Sequence, residues 1–282
     1  MHLSAYFARI AYRGTPGADE ATLRDVHRAH ATTIAFENLD IQMGLAIDLA
    51  LDRLEEKMVR RGRGGYCFEQ NTLLLGALRA LGFAAIACEA RVVAGASAAT
   101  PRTHMLLVVS IDGRRWLCDT GFGGETPLEP VPVDGGAVAQ GGSAYRVGQA
   151  GPHFVLQADA GEGWSDQYVF EAQPREPIDF EVANWYTSTH PESRFVRTLT
   201  AQLRTATGSK VLRNLNWTER RGPRVESRDI AREELESVLA AEFGLQVPGG
   251  ARFRALDEDG TNPREGSASG SSGAGQPEPH RA

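Results

Sequence analysis

Two apolar runs flank Asp112-Gly113. Thr103-His104-Met105-Leu106-Leu107-Val108-Val109-Ser110-Ile111 precedes the pair, and Arg114-Arg115-Trp116-Leu117-Cys118-Asp119 follows it. Asp-Gly between such runs is the strongest short-range signal for a two-residue hairpin turn. The turn dictates the pairing along both strands. With Ile111 opposite Arg114, Leu106 opposes Asp119 and His104 opposes Gly121. His104 and Asp119 then stand diagonally on one face of the sheet, within side-chain reach. A slip of one residue would put them on opposite faces. A carboxylate beside an imidazole fixes its tautomer and stabilises its protonated form. The plainer alternatives are a polar rim histidine and an aspartate that starts a turn.

A second feature supplies what such a pair acts on. In Arg63-Gly64-Gly65-Tyr66-Cys67-Phe68-Glu69-Gln70-Asn71 a glycine-rich turn runs into Leu74, Leu75, Ala77, Leu78 and Leu81, which recur at helical spacing. Cys67 therefore falls at the start of a helix, where unpaired amides and the helix dipole favour negative charge. The two glycines are expected to allow unusual backbone angles and to leave space beside the sulfur. A lone cysteine is often only a small buried hydrophobe. Joined to His104 and Asp119, Cys67 completes a nucleophile, base and orienter in papain-like chain order.

With these residues stand further motifs: Tyr6-Phe7-Ala8-Arg9-Ile10, Ile34-Ala35-Phe36-Glu37-Asn38-Leu39-Asp40, Arg102-Thr103-His104-Met105, Asp119-Thr120-Gly121-Phe122-Gly123, and Asn184-Trp185-Tyr186 with Thr189-His190-Pro191. Together they resemble the arylamine N-acetyltransferase family over about residues 1–195, a span long enough for more than a local motif. The resemblance implies Cys67, His104 and Asp119 as the catalytic trio and acetyl-coenzyme A as co-substrate. It implies an arylamine or hydrazine as acceptor, with Phe36, Phe122, Phe195 and Phe68 at the substrate site. Ala35 stands where the family pattern has proline, and Cys118 where an aliphatic is more usual. The first departure is expected to loosen a loop.

The fold class implied is α+β: an N-terminal helical bundle over 1–84, a central β-barrel over 85–190, and a C-terminal α/β lid over 191–255 around a papain-like core. Residues 256–282 are Gly/Ser/Pro-rich and read as a disordered tail. The periodicity agrees in outline, with helices to about residue 84, short strands to about 180, strands from Leu199 to Glu219, and a helix from Ile230 to Phe243 that ends at Gly244. His27 and His30 lie three apart on one helix face, yet no further ligand completes a metal spacing, and no metal is expected. Glu37 and Arg63 are expected to form a buried ion pair that shapes the site. Glu69, Gln70 and Asn71 read as helix-capping residues.

Composition narrows the setting. Three cysteines argue against a disulfide framework, and Cys88 and Cys118 read as core. A net charge of −6 disfavours nucleic acid as a partner. The N-terminus lacks a signal-peptide core and no apolar run reaches spanning length, so a cytoplasmic protein without a membrane partner is expected. A homodimer is compatible with all of this. Three other functions fit the same trio: an amide synthase closing a macrolactam, a papain-like protease or transglutaminase relative, and a non-enzymatic module with an inert Cys67.

Overall fold

Helices α1 (Leu3–Arg9) and α2 (Glu20–Thr33) open the chain in the computed structural model, which describes residues 1–257. Asp19 caps α2 by accepting from Thr22 N at 2.8 Å, which satisfies one of the amides a helix start leaves free. Leu23, Val26, His27 and His30 form its buried face, at the spacing of a single helical stripe. Next come the short strand β1 (Phe36–Glu37), helices α3 (Leu39–Gln42) and α4 (Leu51–Leu54), a π-helical turn over Glu55–Arg60, and α5 (Cys67–Ala80). Leu73, Leu74, Ala77 and Leu78 of α5 bury fully against Tyr6, Leu23 and Val26. Each buried leucine contributes roughly 1.5–3 kcal/mol. That packing anchors the helix whose first residue is Cys67.

The strand-rich part comprises β2 (Ala84–Val92), β3 (Arg102–Ile111), β4 (Arg114–Cys118), β5 (Val131–Pro132), β6 (Val138–Gln140), β7 (Ser143–Ala150), β8 (His153–Asp159) and β9 (Ser165–Phe170). They form one antiparallel sheet in the order β5-β4-β3-β2-β9-β8-β7-β6, curled into a nearly closed barrel. The hairpin register is the one the Asp-Gly turn demands. Asp112 and Gly113 take φ of 49° and 77°, and the ladder runs from Ile111–Arg114 to Leu107–Cys118. Asp119 is thus the first residue past the ladder.

The strands expected to about residue 180 stop at Phe170, and Pro177–Thr189, inside the span expected to be barrel, is a helix, α6. Pro177 sits in its first turn, and Glu176 N donates to Asp179 at 3.1 Å. Beyond it lie α7 (Arg194–Arg197), β10 (Thr200–Thr205), β11 (Gly208–Arg213), β12 (Asn216–Arg221), β13 (Arg224–Asp229), α8 (Leu235–Phe243) and α9 (Arg254–Asp257). Gly244 ends α8 with φ of 66°. A second sheet runs β1-β10-β11-β12-β13, with Phe36 opposite Gln202 and Glu37 opposite Ala201. The N-terminal part is therefore not purely helical, because it lends an edge strand to the C-terminal sheet. Leu256 and Asp257 belong to α9 rather than to a tail. The rest of the expected tail lies outside the described residues. Among the described residues, no helix is long and apolar enough to cross a membrane.

Candidate active site

Cys67 is the first residue of α5 and is 3% exposed, its side chain on the wall of a cavity of about 600 Å³. Its Sγ lies 3.8 Å from Thr103 O. Gly64 and Gly65 do not have the positive φ expected of them; close approach explains both. A Cβ on Gly64 would stand 2.0 Å from Ala35 O, and one on Gly65 would stand 2.8 Å from Glu69 Cβ. The backbone that passes Cys67 is that of Gly121, where a Cβ would come within 2.7 Å of Cys67 Cα. Gly121 thus lets the segment that follows Asp119 lie directly on the helix start.

His104 Nε2 donates to Asp119 Oδ2 at 2.7 Å, which leaves Nδ1 as the free ring nitrogen. Cys67 and His104 line the same cavity. Asp119 is fully buried, and its charge is met by four donors. Tyr168 OH shares Oδ2 at 2.9 Å, while Asn71 Nδ2 and Gly121 N each reach Oδ1 at 2.9 Å. Asn71 also donates to Met105 O at 2.7 Å and so ties α5 to β3. Its role goes beyond capping. Behind the carboxylate, His27 Nε2 accepts from Asp119 N at 3.0 Å and Nδ1 donates to Leu128 O at 3.0 Å. The two residues that His27 holds bracket the loop carrying Gly121, Phe122 and Gly123.

Charge follows from this geometry. Burial opposes protonation of His104, but Asp119 and then Cys67 outweigh it and raise the imidazole to about 10. Burial would push Asp119 up, yet His104, Asn71 and Gly121 hold it below the usual carboxylate range. Near neutral pH the pair is imidazolium and carboxylate.

Aromatic rings close the cavity. Phe36, Phe122 and Phe195 line it together with His104 and Cys67. Phe122 meets His104 edge-on at 5.2 Å between centroids, and Phe36 lies 6.0 Å from Phe195. Phe68 does not line it. Its ring is fully buried between Tyr66 and Phe180. The Phe36-Glu37-Asn38 motif does three jobs. Phe36 forms wall, Asn38 Nδ2 donates to Phe195 O and Thr198 O at 2.7 and 2.8 Å, and Glu37 accepts from Arg63 Nη2 at 2.8 Å. Arg63 also bonds Asp40 at 2.8 Å, and Lys57 links Asp40 to Glu69 at 2.7 Å each. The expected ion pair is one edge of a five-residue buried network. It reaches α5 through Glu69, which accepts from Tyr66 N at 3.1 Å.

The family model described as N-acetyltransferase matches residues 19–252. The chain belongs to the arylamine N-acetyltransferase family. The family's Mycobacterium tuberculosis member is 43% identical over 208 residues, 71% of this chain and 74% of the relative. The Mycobacterium smegmatis arylamine N-acetyltransferase structure superimposes with a TM-score of 0.86 at 34% identity, over 91% of this chain and 99% of that one. The Mycobacterium marinum arylamine N-acetyltransferase in complex with CoA superimposes at 0.81 and 35% identity, over 86% and 92%.

Two features set this arylamine N-acetyltransferase family member apart from the expected pattern. Ala35, in the proline position, is not loose. Its carbonyl accepts from Gly65 N at 3.3 Å and from Gln70 Nε2 at 2.8 Å. Cys118 and Cys88 are both fully buried thiols, and burial pushes both up, Cys88 to about 12. His27 and His30 do not converge on a shared point: His30 is taken by Gln70 at 2.6 Å and Tyr6 at 2.8 Å.

Burial lowers His27 to about 4 and His30 to about 3. Between pH 6.5 and those values the unfolded chain binds protons that the native histidines refuse, so stability falls with pH at roughly 1.4 kcal/mol per unit per histidine. Glu69, raised to about 6 by burial against the pull of Lys57, opposes this between its ordinary value near 4.5 and 6. Two groups outweigh one. His104 adds stability that is complete below about 6.5 and is lost as pH rises towards 10. Urea midpoints are thus expected to fall from pH 6.5 to 4, with a shallower fall in His27→Gln. Parallel profiles for the two proteins would refute the assignment.

Proposed function

We propose that this chain transfers acetyl from acetyl-coenzyme A to the nitrogen of arylamines, arylhydrazines or similar amines through an acetyl-Cys67 thioester, by a ping-pong route. The observation that carries the reading is the cavity wall on which Cys67 and His104 meet, with Asp119 bonded to the imidazole behind it. Membership of the family supplies the acyl group.

Cys67 Sγ attacks the thioester carbonyl and its proton rests on His104. The bond from carbon to the coenzyme's sulfur breaks, and His104 returns the proton to the departing thiolate. One thioester replaces another, so acyl activation is kept. A neutral amine then attacks the acetylated Cys67, His104 takes its proton, and the amide leaves as the carbon–Sγ bond breaks. Thiolate and imidazolium are regained. Asp119 holds the ring with Nδ1 towards the sulfur throughout. The amides of Cys67 and Phe68 stand in the first turn of α5, without intrahelical acceptors, and serve as oxyanion donors. Phe36, Phe122 and Phe195 keep water from the intermediate. The three buried free thiols accord with a cytoplasmic setting.

Intact mass after mixing with acetyl-coenzyme A alone tests this directly. The wild type is expected to gain one acetyl group that an added arylamine or hydrazine discharges, and Cys67→Ala to gain none. An unmodified wild type with a reactive thiol would refute acetyl transfer.

A further inference from the structure

Coenzyme A is a polyanion, and this chain carries a net charge of −6. Long-range attraction will not gather such a ligand, so a local cationic site must receive it. The cavity wall that holds Cys67 also carries Arg194, at the start of α7, and Arg213, at the end of β11. Most guanidinium groups near the site are already engaged. Arg63, Arg102, Arg175 and Arg197 each pair with a carboxylate. Among the described residues, Arg194 and Arg213 have no such partner.

Of the two carboxylates on the same wall, Glu192 pairs with Arg197 and Glu125 accepts from Ser143 Oγ at 2.9 Å, and neither forms an ion pair with Arg194 or Arg213. Both guanidinium-bearing residues line this one cavity, and burial, followed by the charge of Arg213, lowers Arg194 from its ordinary value. Like charges on the lining of one cavity gain from an anion that binds both, and the guanidinium fork matches phosphate oxygens.

We infer that Arg194 and Arg213 form the subsite for the phosphate groups of the acyl donor, so that this chain prefers a nucleotide-bearing donor over a bare pantetheine thioester. The inference rests on the acetyl-transfer reading above and adds where the donor is gripped. Arg194 and Arg213 bind and position the donor, and take no part in the chemistry at Cys67.

The test compares acetyl-coenzyme A with S-acetylpantetheine, which presents the same thioester without phosphate. In the wild type, KM is expected to be much lower for acetyl-coenzyme A. The double variant Arg194→Gln/Arg213→Gln is expected to raise that KM about tenfold or more, the scale of charge-assisted hydrogen bonds at a wet rim. Its KM for S-acetylpantetheine should change less than twofold, and Arg213→Lys should recover part of the loss. A wild type without preference between the donors overturns the inference, as does a double variant that weakens both donors equally. If intact mass shows acetyl uptake from neither donor, the acetyl-transfer reading falls and the subsite with it. Uptake from both, with preference unchanged in the variant, removes only the arginine assignment.

Discussion

Asp119→Asn is expected to lower kcat/KM for acetyl transfer by about 10⁴-fold while the fold survives. The carboxylate accepts four hydrogen bonds, from His104, Tyr168, Asn71 and Gly121. An asparagine of the same shape has one acceptor oxygen and one amide nitrogen. If the oxygen keeps Asn71 and Gly121, the nitrogen faces His104 Nε2 and forces the ring into the other tautomer. Nδ1 then carries a proton where it must accept one from Cys67. If the amide flips, Asn71 and the Gly121 backbone lose their acceptor, and the Gly121 segment lies directly against Cys67. The first choice disables the base and the second disturbs the nucleophile. Loss of the negative charge also removes what raises His104 to about 10, so the remaining activity should titrate nearer the ordinary histidine range. The unsatisfied donors cost about 1–3 kcal/mol of stability. Steady-state kinetics with a hydrazine acceptor, together with the rate of acetyl uptake by mass, read both effects. A loss smaller than tenfold, with unchanged pH dependence, would refute this account of Asp119.

The contact between His104 and Asp119 was legible before any coordinates because a two-residue turn fixes register, and register fixes which face each side chain occupies. The helix start at Cys67 was legible because periodicity and glycine mark it. The support behind the pair was not. His27, Asn71 and Tyr168 reach Asp119 from 92, 48 and 49 residues away, and no spacing rule spans such distances. His27 and His30 share a helical stripe that reads equally well as core or as ligand set. The helix α6 escaped for another reason. Phe180 and Ala183 face inwards, but Ile178, Val182 and Trp185 are 59–67% exposed, so apolar residues lie on both faces and the helical stripe blurs. The role of Gly64 was misread because close approach to a carbonyl leaves no trace in local sequence, whereas turn glycines announce themselves by their neighbours.

Beneath the nucleophile, Lys57→Met is expected to destabilise the fold by about 3–5 kcal/mol, the cost of stranding a buried charge. Lys57 is 7% exposed and links Asp40 and Glu69 at 2.7 Å each. Burial works against its charge, but Glu69, Glu37 and Asp40 hold its ammonium above the ordinary lysine range. Methionine fills much the same volume and supplies none of those donors. Asp40 retains Arg63, whereas Glu69 retains only the Tyr66 amide. The buried carboxyl left without its ammonium therefore sits at the third residue of the helix that begins with Cys67, and the change at Tyr66 N should carry to Cys67. A fall in kcat is expected beside the loss of stability. The double variant Lys57→Met/Glu69→Gln separates charge from packing. It removes the stranded carboxylate and leaves an amide oxygen to accept from Tyr66 N, so it should recover more than half of the stability lost in the single variant. Urea unfolding of the four proteins in the cycle measures this. Additive losses would mean that Lys57 acts by filling space, and that the ion network does not hold the nucleophile's helix in place.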